Sequence, residues 1–142
     1  MKLLDVNLLL YAVDESSPFH KPARSWLEKS FAGSETIILD WSVLLAFIRL
    51  STRARIFEQP LSPAQALDLV DSWLAQPNVT VAHPTDRHSS LVRELLLPLG
   101  TAGNLTSDVH LAALAIEHGA ELCSLDRDFS RFPGLRWTNP LD

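Results

Sequence analysis

One cysteine, no lysine after Lys29 and no apolar run long enough to cross a bilayer set the first limits on this 142-residue chain. The lone Cys123 excludes an internal disulfide and fits a reducing compartment, and within the apolar stretch Leu122 to Leu125 it reads as an inert core residue. The runs Val43 to Ile48 and Leu95 to Leu97 stop well short of the roughly 18 apolar residues of a membrane span. An acid at position 5 is also out of place in a secretory signal. A soluble, cytoplasmic protein without a membrane partner is expected. The missing late lysine disfavours a phospho-receiver domain, whose acidic pocket pairs with a strand-end lysine. The five glycines are scattered, so no loop cradles a phosphate, and the five histidines lack both i, i+4 spacing and a cysteine partner, so no zinc site is expected of them. They read as surface or satisfied residues. A net charge of −5 argues against nucleic-acid binding through a broad basic surface, although it leaves a nucleic-acid substrate open.

What the chain does have is 46% hydrophobic residues, enough for one sizeable core, and no linker or repeat that would divide it. A single domain over residues 1–142 follows. Strands are predicted at Leu3–Asp5, Thr36–Leu39, Val79–Ala82, Leu122–Leu125 and Leu135–Thr138. Helices are predicted over Val6–Val13, from Pro18 or Pro22 to Ala32, over Ser42–Phe57, from Ser62-Pro63 to Gln76, over Thr85–Leu97, and from Thr106 or Ser107 to His118. Helices between successive strands require crossover connections. The expected fold class is α/β: a central, mostly parallel sheet of about five strands with helices on both faces, in three layers.

Acids mark the ends of these elements. Asp5 closes the first strand, Asp126 follows the fourth, and Asp108 opens the helix between. In an open parallel sheet ligands bind beyond the carboxyl ends of the strands, where all three could converge. Asp5 could equally cap the helix at Val6, and Asp126 and Asp128 could form an ordinary polar turn. At 100° per residue, however, Asp108 heads the stripe of Leu111, Ala112 and Ala115, with His110, Leu114 and Glu117 opposite, so its charge points towards the core. Three carboxylates in one crevice repel unless a cation joins them. Oxygen ligands of this kind suit Mg²⁺ or Mn²⁺, and with them phosphodiester chemistry.

The stretch Leu3-Leu4-Asp5-Val6-Asn7-Leu8-Leu9-Leu10-Tyr11-Ala12 resembles the first motif of the PIN-domain ribonucleases, among them the VapC-type toxins of bacterial toxin–antitoxin pairs. Gly103-Asn104-Leu105-Thr106-Ser107-Asp108-Val109-His110-Leu111-Ala112-Ala113-Leu114-Ala115 is similar to their third motif, and Ser124-Leu125-Asp126-Arg127-Asp128-Phe129 with Phe132-Pro133-Gly134-Leu135 to the closing one. Trp41 to Phe57, with Phe47-Ile48-Arg49-Leu50, resembles one branch of these toxins. The resemblance implies a three-layer PIN-like fold and Mg²⁺-dependent hydrolysis of RNA, with Asp5, Asp108 and Asp126 as metal ligands. Asn104, Asp128 and Asp40 are auxiliary candidates, and Arg49 and Arg127 are candidates for RNA contact. It also implies a homodimer silenced by a small antitoxin protein.

One position departs from the pattern. Many PIN domains carry a glutamate on the helix after the second strand, and here Phe47 stands near that place, with no acid from Trp41 to Arg55. One other reading follows from that gap, a module that only binds RNA or its antitoxin, and a second from the acids themselves, which could equally support a metal-dependent hydrolase of DNA or a small phosphoester. The same helix shows almost no polar face over two turns, since Val43, Leu44, Leu45, Phe47 and Ile48 crowd it. It is expected to be covered on more than one side, by a second subunit or by the antitoxin.

Overall fold

The five strands are short, and all of them run parallel. In the computed structural model, which describes residues 1–142, β1 (Lys2–Leu4) lies at the centre of a sheet ordered β3-β2-β1-β4-β5, with β2 at Ile37–Leu39, β3 at Val79–Val81, β4 at Glu121–Cys123 and β5 at Trp137–Thr138. Lys2 pairs with Ile37 on one side and Glu121 on the other, which fixes the register of the centre. Each strand from β1 to β3 is followed by two helices: α1 (Val6–Val13) and α2 (His20–Ala32), α3 (Trp41–Ser51) and α4 (Pro63–Leu74), α5 (His88–Leu96) and α6 (Leu105–Glu117). The first four pack among themselves, and α5 packs with α6. Right-handed crossovers send the chain outward to β3 and then back past β1 to β4, so these two groups cover opposite faces. The core between them is built from Leu3, Leu4, Ile37, Leu39, Leu44, Phe47, Leu114 and Leu122, all essentially inaccessible.

Several boundaries differ from expectation for local reasons. Helix α3 ends at Ser51 rather than Phe57, because the Thr52 hydroxyl donates to the Ile48 and Arg49 carbonyls and a turn follows through Ile56. Helix α2 accepts Pro22 in its first turn, where a backbone N–H has no intrahelical partner to lose. Helix α5 begins at His88, since Thr85 folds into a turn with its hydroxyl accepting from Arg87 N–H, and Pro98 lies in a 3₁₀ turn after it. Helix α6 begins at Leu105, ahead of the anticipated caps Thr106 and Ser107, and Asn104 provides no side-chain cap. The Ser62-Pro63 start is as read: Ser62 and Gln65 form a reciprocal capping box.

Phe47 is fully buried, edge-on to Trp73 at 4.7 Å, and of the large apolar α3 residues Trp41 and Leu45 are exposed, at 45% and 57%. Leu114 of α6, placed opposite Asp108, is buried as well, because α6 is enclosed by sheet and α5 together.

Candidate active site

The strand order turns at β1. Chain progress runs β1 to β3 in one direction and β4 to β5 in the other, so the crevice between the carboxyl ends of β1 and β4 is the topological switch point of the sheet. Asp5 follows β1 directly and Asp126 stands three residues beyond β4. Helix α6 leads into β4 and therefore starts at this same edge, with Asp108 in its first turn.

Asp5 caps α1. Val6 N–H donates to its Oδ1 at 2.7 Å, and the Ser124 hydroxyl donates to its Oδ2 at 2.7 Å. Burial pushes the carboxyl up, the Ser124 and Val6 hydrogen bonds pull it down, Asp126 adds repulsion, and the net shift is upward. Ser124 also accepts from Asp126 N–H at 3.0 Å and from the Asn7 amide at 3.1 Å. This hydroxyl, wholly buried, ties the turn after β1 to the turn after β4. Neither Asn7 nor Ser124 stands out in the sequence as a site residue. The signal was a pair of polar residues beside otherwise apolar strand ends.

Asp126 caps the 3₁₀ turn Arg127–Arg131, accepting from Asp128 N–H at 2.9 Å. Asp108 is different. None of the influences on its carboxyl is a hydrogen bond: burial, then the charges of Asp5, Asp126 and Asp128, push it up to about 6, and only Arg131 opposes them. The three candidate ligands and Asp128 therefore feel one another electrostatically. As they stand, no three acidic, histidine or cysteine side chains form a ready-made ion cage. The donors are nevertheless all carboxylate oxygens whose negative charges act on one another, which suits a hard cation that keeps part of its water.

The remaining candidates separate from this group. Asp128 is exposed and pairs with Arg131 at 3.1 Å, and Asn104 is exposed at the start of α6. Arg127 lies exposed beside Asp126, its guanidinium 3.7 Å from Asp142. Arg49 sits in the last turn of α3, about 13 Å along the helix axis from the strand end. Arg131 is the cation that acts on Asp108.

Asp40 is also occupied elsewhere. It caps α3 through Ser42 N–H and the Ser42 hydroxyl, and His110 Nε2 lies 2.9 Å from its Oδ2. Burial raises its carboxyl, but the hydrogen bonds from His110 and Ser42 outweigh burial and hold it below the usual range. From His110 the contacts continue: Nδ1 is 3.0 Å from His88 Nε2, and His88 Nδ1 is 2.6 Å from Glu117 Oε2, whose other oxygen accepts from Thr85 N–H. Both outer links end on carboxylates and need an N–H, and the central link needs one more. Three hydrogens on four ring nitrogens leave one positive charge on the pair. The hydrogen bond to Asp40 raises the His110 pKa, which favours its charged form. The histidines were expected to be satisfied, and these two are, but their joining into one chain was not foreseen.

Comparison with known proteins adds the following. A family model described as "PIN domain" matches residues 2–135. The chain is 44% identical over 140 residues to ribonuclease VapC37 of Mycobacterium tuberculosis, covering 99% of this chain and 97% of the relative, and 45% identical over 141 residues to ribonuclease VapC33 of the same species, covering 99% of each. Among solved structures, VapBC2 of Rickettsia felis bound to a promoter DNA fragment matches with a TM-score of 0.72 at 21% identity over 97% of each chain. M. tuberculosis VapC20, described as a sarcin-ricin-loop-cleaving toxin, matches with a TM-score of 0.69 at 17% identity, covering 96% of this chain and 99% of that one.

Proposed function

Because the chain belongs to the PIN-domain family, among the VapC ribonucleases, we propose that it is the toxin of a VapBC-type toxin–antitoxin pair, a ribonuclease hydrolysing RNA phosphodiester bonds with Asp5, Asp108 and Asp126 around a divalent cation. What supports the site assignment is that three acids from three separate elements act on one another's charge at the switch point, and burial keeps Asp5 and Asp108 partly dry. Mg²⁺ suits such a site, and Mn²⁺ is the alternative, because Mg²⁺ usually keeps several waters and uses one or two carboxylates together with substrate phosphate, with no need for a closed cage. When bound, the cation supplies polarisation of a phosphate oxygen and an acidified water as nucleophile.

The chain's own residues do the rest. Ser124 and Val6 hold the Asp5 carboxylate from two directions, so its orientation is fixed before any ligand arrives. Asp126 is held by its own cap hydrogen bond, and Arg131 and Arg127 supply positive charge beside the acids where a phosphate backbone would run. Helix α3 contributes Phe47 to the core where many PIN domains carry a glutamate, so the acid set here draws on β1, β4 and α6. The partners in this reading are an RNA substrate, a small antitoxin and a second copy of the chain, and the compartment is the cytoplasm.

The test is cleavage of a labelled structured RNA by the purified chain, with Mg²⁺, with Mn²⁺ and with EDTA, beside the Asp5→Asn and Asp108→Asn variants. Cleavage with either cation, abolished by EDTA and reduced at least 100-fold in folded variants, is expected. RNA binding without cleavage under all conditions would instead favour a binding module, and preferential hydrolysis of DNA or a small phosphodiester would move the substrate class.

A further inference from the structure

Asp108 is the one acid of the site that no hydrogen bond holds, so its place depends on where α6 holds it. The start of that helix gives little help. Asn104 makes no side-chain cap, and the loop before it turns through Gly100 and Gly103, both with left-handed backbone. The buried residues Val109, Leu111, Ala112, Ala113, Leu114 and Ala115 fix the depth of α6, but apolar contact is non-directional and small alanines restrain rotation weakly. A directional restraint comes from the chain Asp40–His110–His88–Glu117. His110 lies two residues after Asp108, about 200° around the helix, and Glu117 lies seven residues after His110, on the same face. One side of α6 is thereby bonded at two heights, to the α3 cap and to α5, while Asp108 projects from the other.

We propose that His110 is a positioning residue for Asp108: held between Asp40 and His88, it sets the rotation of α6 and so the distance of the Asp108 carboxylate from Asp5 and Asp126. The proposal rests on the metal-dependent ribonuclease reading only in giving Asp108 a ligand role; the geometry it asserts belongs to the metal-free protein. A misplacement of about 1 Å is enough to change catalysis by orders of magnitude, and loss of an outer partner typically weakens metal binding 10- to 100-fold.

The experiment compares wild type with His110→Leu, His110→Gln and Ala113→Gly. The glutamine amide can still donate to Asp40, and Ala113→Gly loosens α6 without touching the chain. Three quantities are measured: the NMR shift of the Asp108 carboxyl carbon in metal-free protein, Mn²⁺ affinity by calorimetry, and kcat and KM for RNA cleavage. His110→Leu is expected to move the Asp108 resonance, weaken Mn²⁺ about 10-fold and lower kcat with little change in KM. His110→Gln should restore most of this, and Ala113→Gly should lower Tm while leaving all three near wild type. If His110→Leu does not fold, His110→Asn, too short to reach Asp40, takes its place with the same expected losses. A folded variant with wild-type resonance and affinity overturns the proposal, as does an equal loss in Ala113→Gly. A wild type that binds no Mn²⁺ would overturn the metal reading instead, and the Asp108 resonance alone would then decide whether His110 positions it.

Discussion

The charge on Asp108 works against folding. Its carboxyl titrates near 3.8 in an unstructured chain and at about 6 in the folded one, so the folded state binds the proton more tightly. Above pH 6 the ionised form is disfavoured by burial and by its acidic neighbours, and this penalty is relieved as pH falls from about 6 towards 3.8. In EDTA, Asp108→Asn should therefore raise Tm over wild type at pH 7.5, and the gap should narrow markedly by pH 4.5. Thermal denaturation across that range checks it, and an unchanged gap at low pH would remove the electrostatic account. The same repulsion is what a bound cation would relieve, which links the cost in stability to the proposed function. Cys123 carries no such tension, because burial pushes its thiol up to about 12 and leaves it inert.

At the scale of elements, the helices that frame the site are set by their caps. Asp5 and Asp40 cap α1 and α3 at the carboxyl edge of the sheet, so acids serve the helix termini even without a ligand. Far from that edge, Ser62 and Gln65 satisfy two N-terminal donors of α4. Ser62→Ala should cost about 1 kcal/mol of stability in urea denaturation and leave RNA cleavage unaffected, since α4 reaches the site only through the core. A loss of cleavage at unchanged stability would contradict that separation.

Trp41 and Leu45 lie one turn apart and together form an exposed apolar strip on α3, while Val43, Leu44, Phe47 and Ser51 of the same helix are buried from within. A second copy burying this strip is expected, giving a dimer by light scattering at micromolar concentration. Leu45→Glu should make it monomeric without loss of fold. Phe47→Glu is no test of the same idea, since a charge there enters the closed core against Trp73 and would unfold the chain. A wild type that stays monomeric would assign the strip elsewhere.

The sequence by itself determined the alternation of strands and helices, the Ser62 cap, the buried thiol and the three acids at element ends, because each is written in local periodicity, capping chemistry or a motif. It also carried the resemblance that named the family. Element ends were less legible: α3 stops at Thr52 because a side-chain hydroxyl competes for backbone carbonyls, and Phe47 faces inward because Trp73, from another helix, closes over it. Only the tertiary structure decided that Ser124 reaches back 119 residues to Asp5, that the charge of Arg131 acts on Asp108, and that Asp40 is tied to His110 across 70 residues. Such pairings are fixed by which strands become neighbours in the sheet, and neighbourhood across crossovers leaves no local trace in the order of residues.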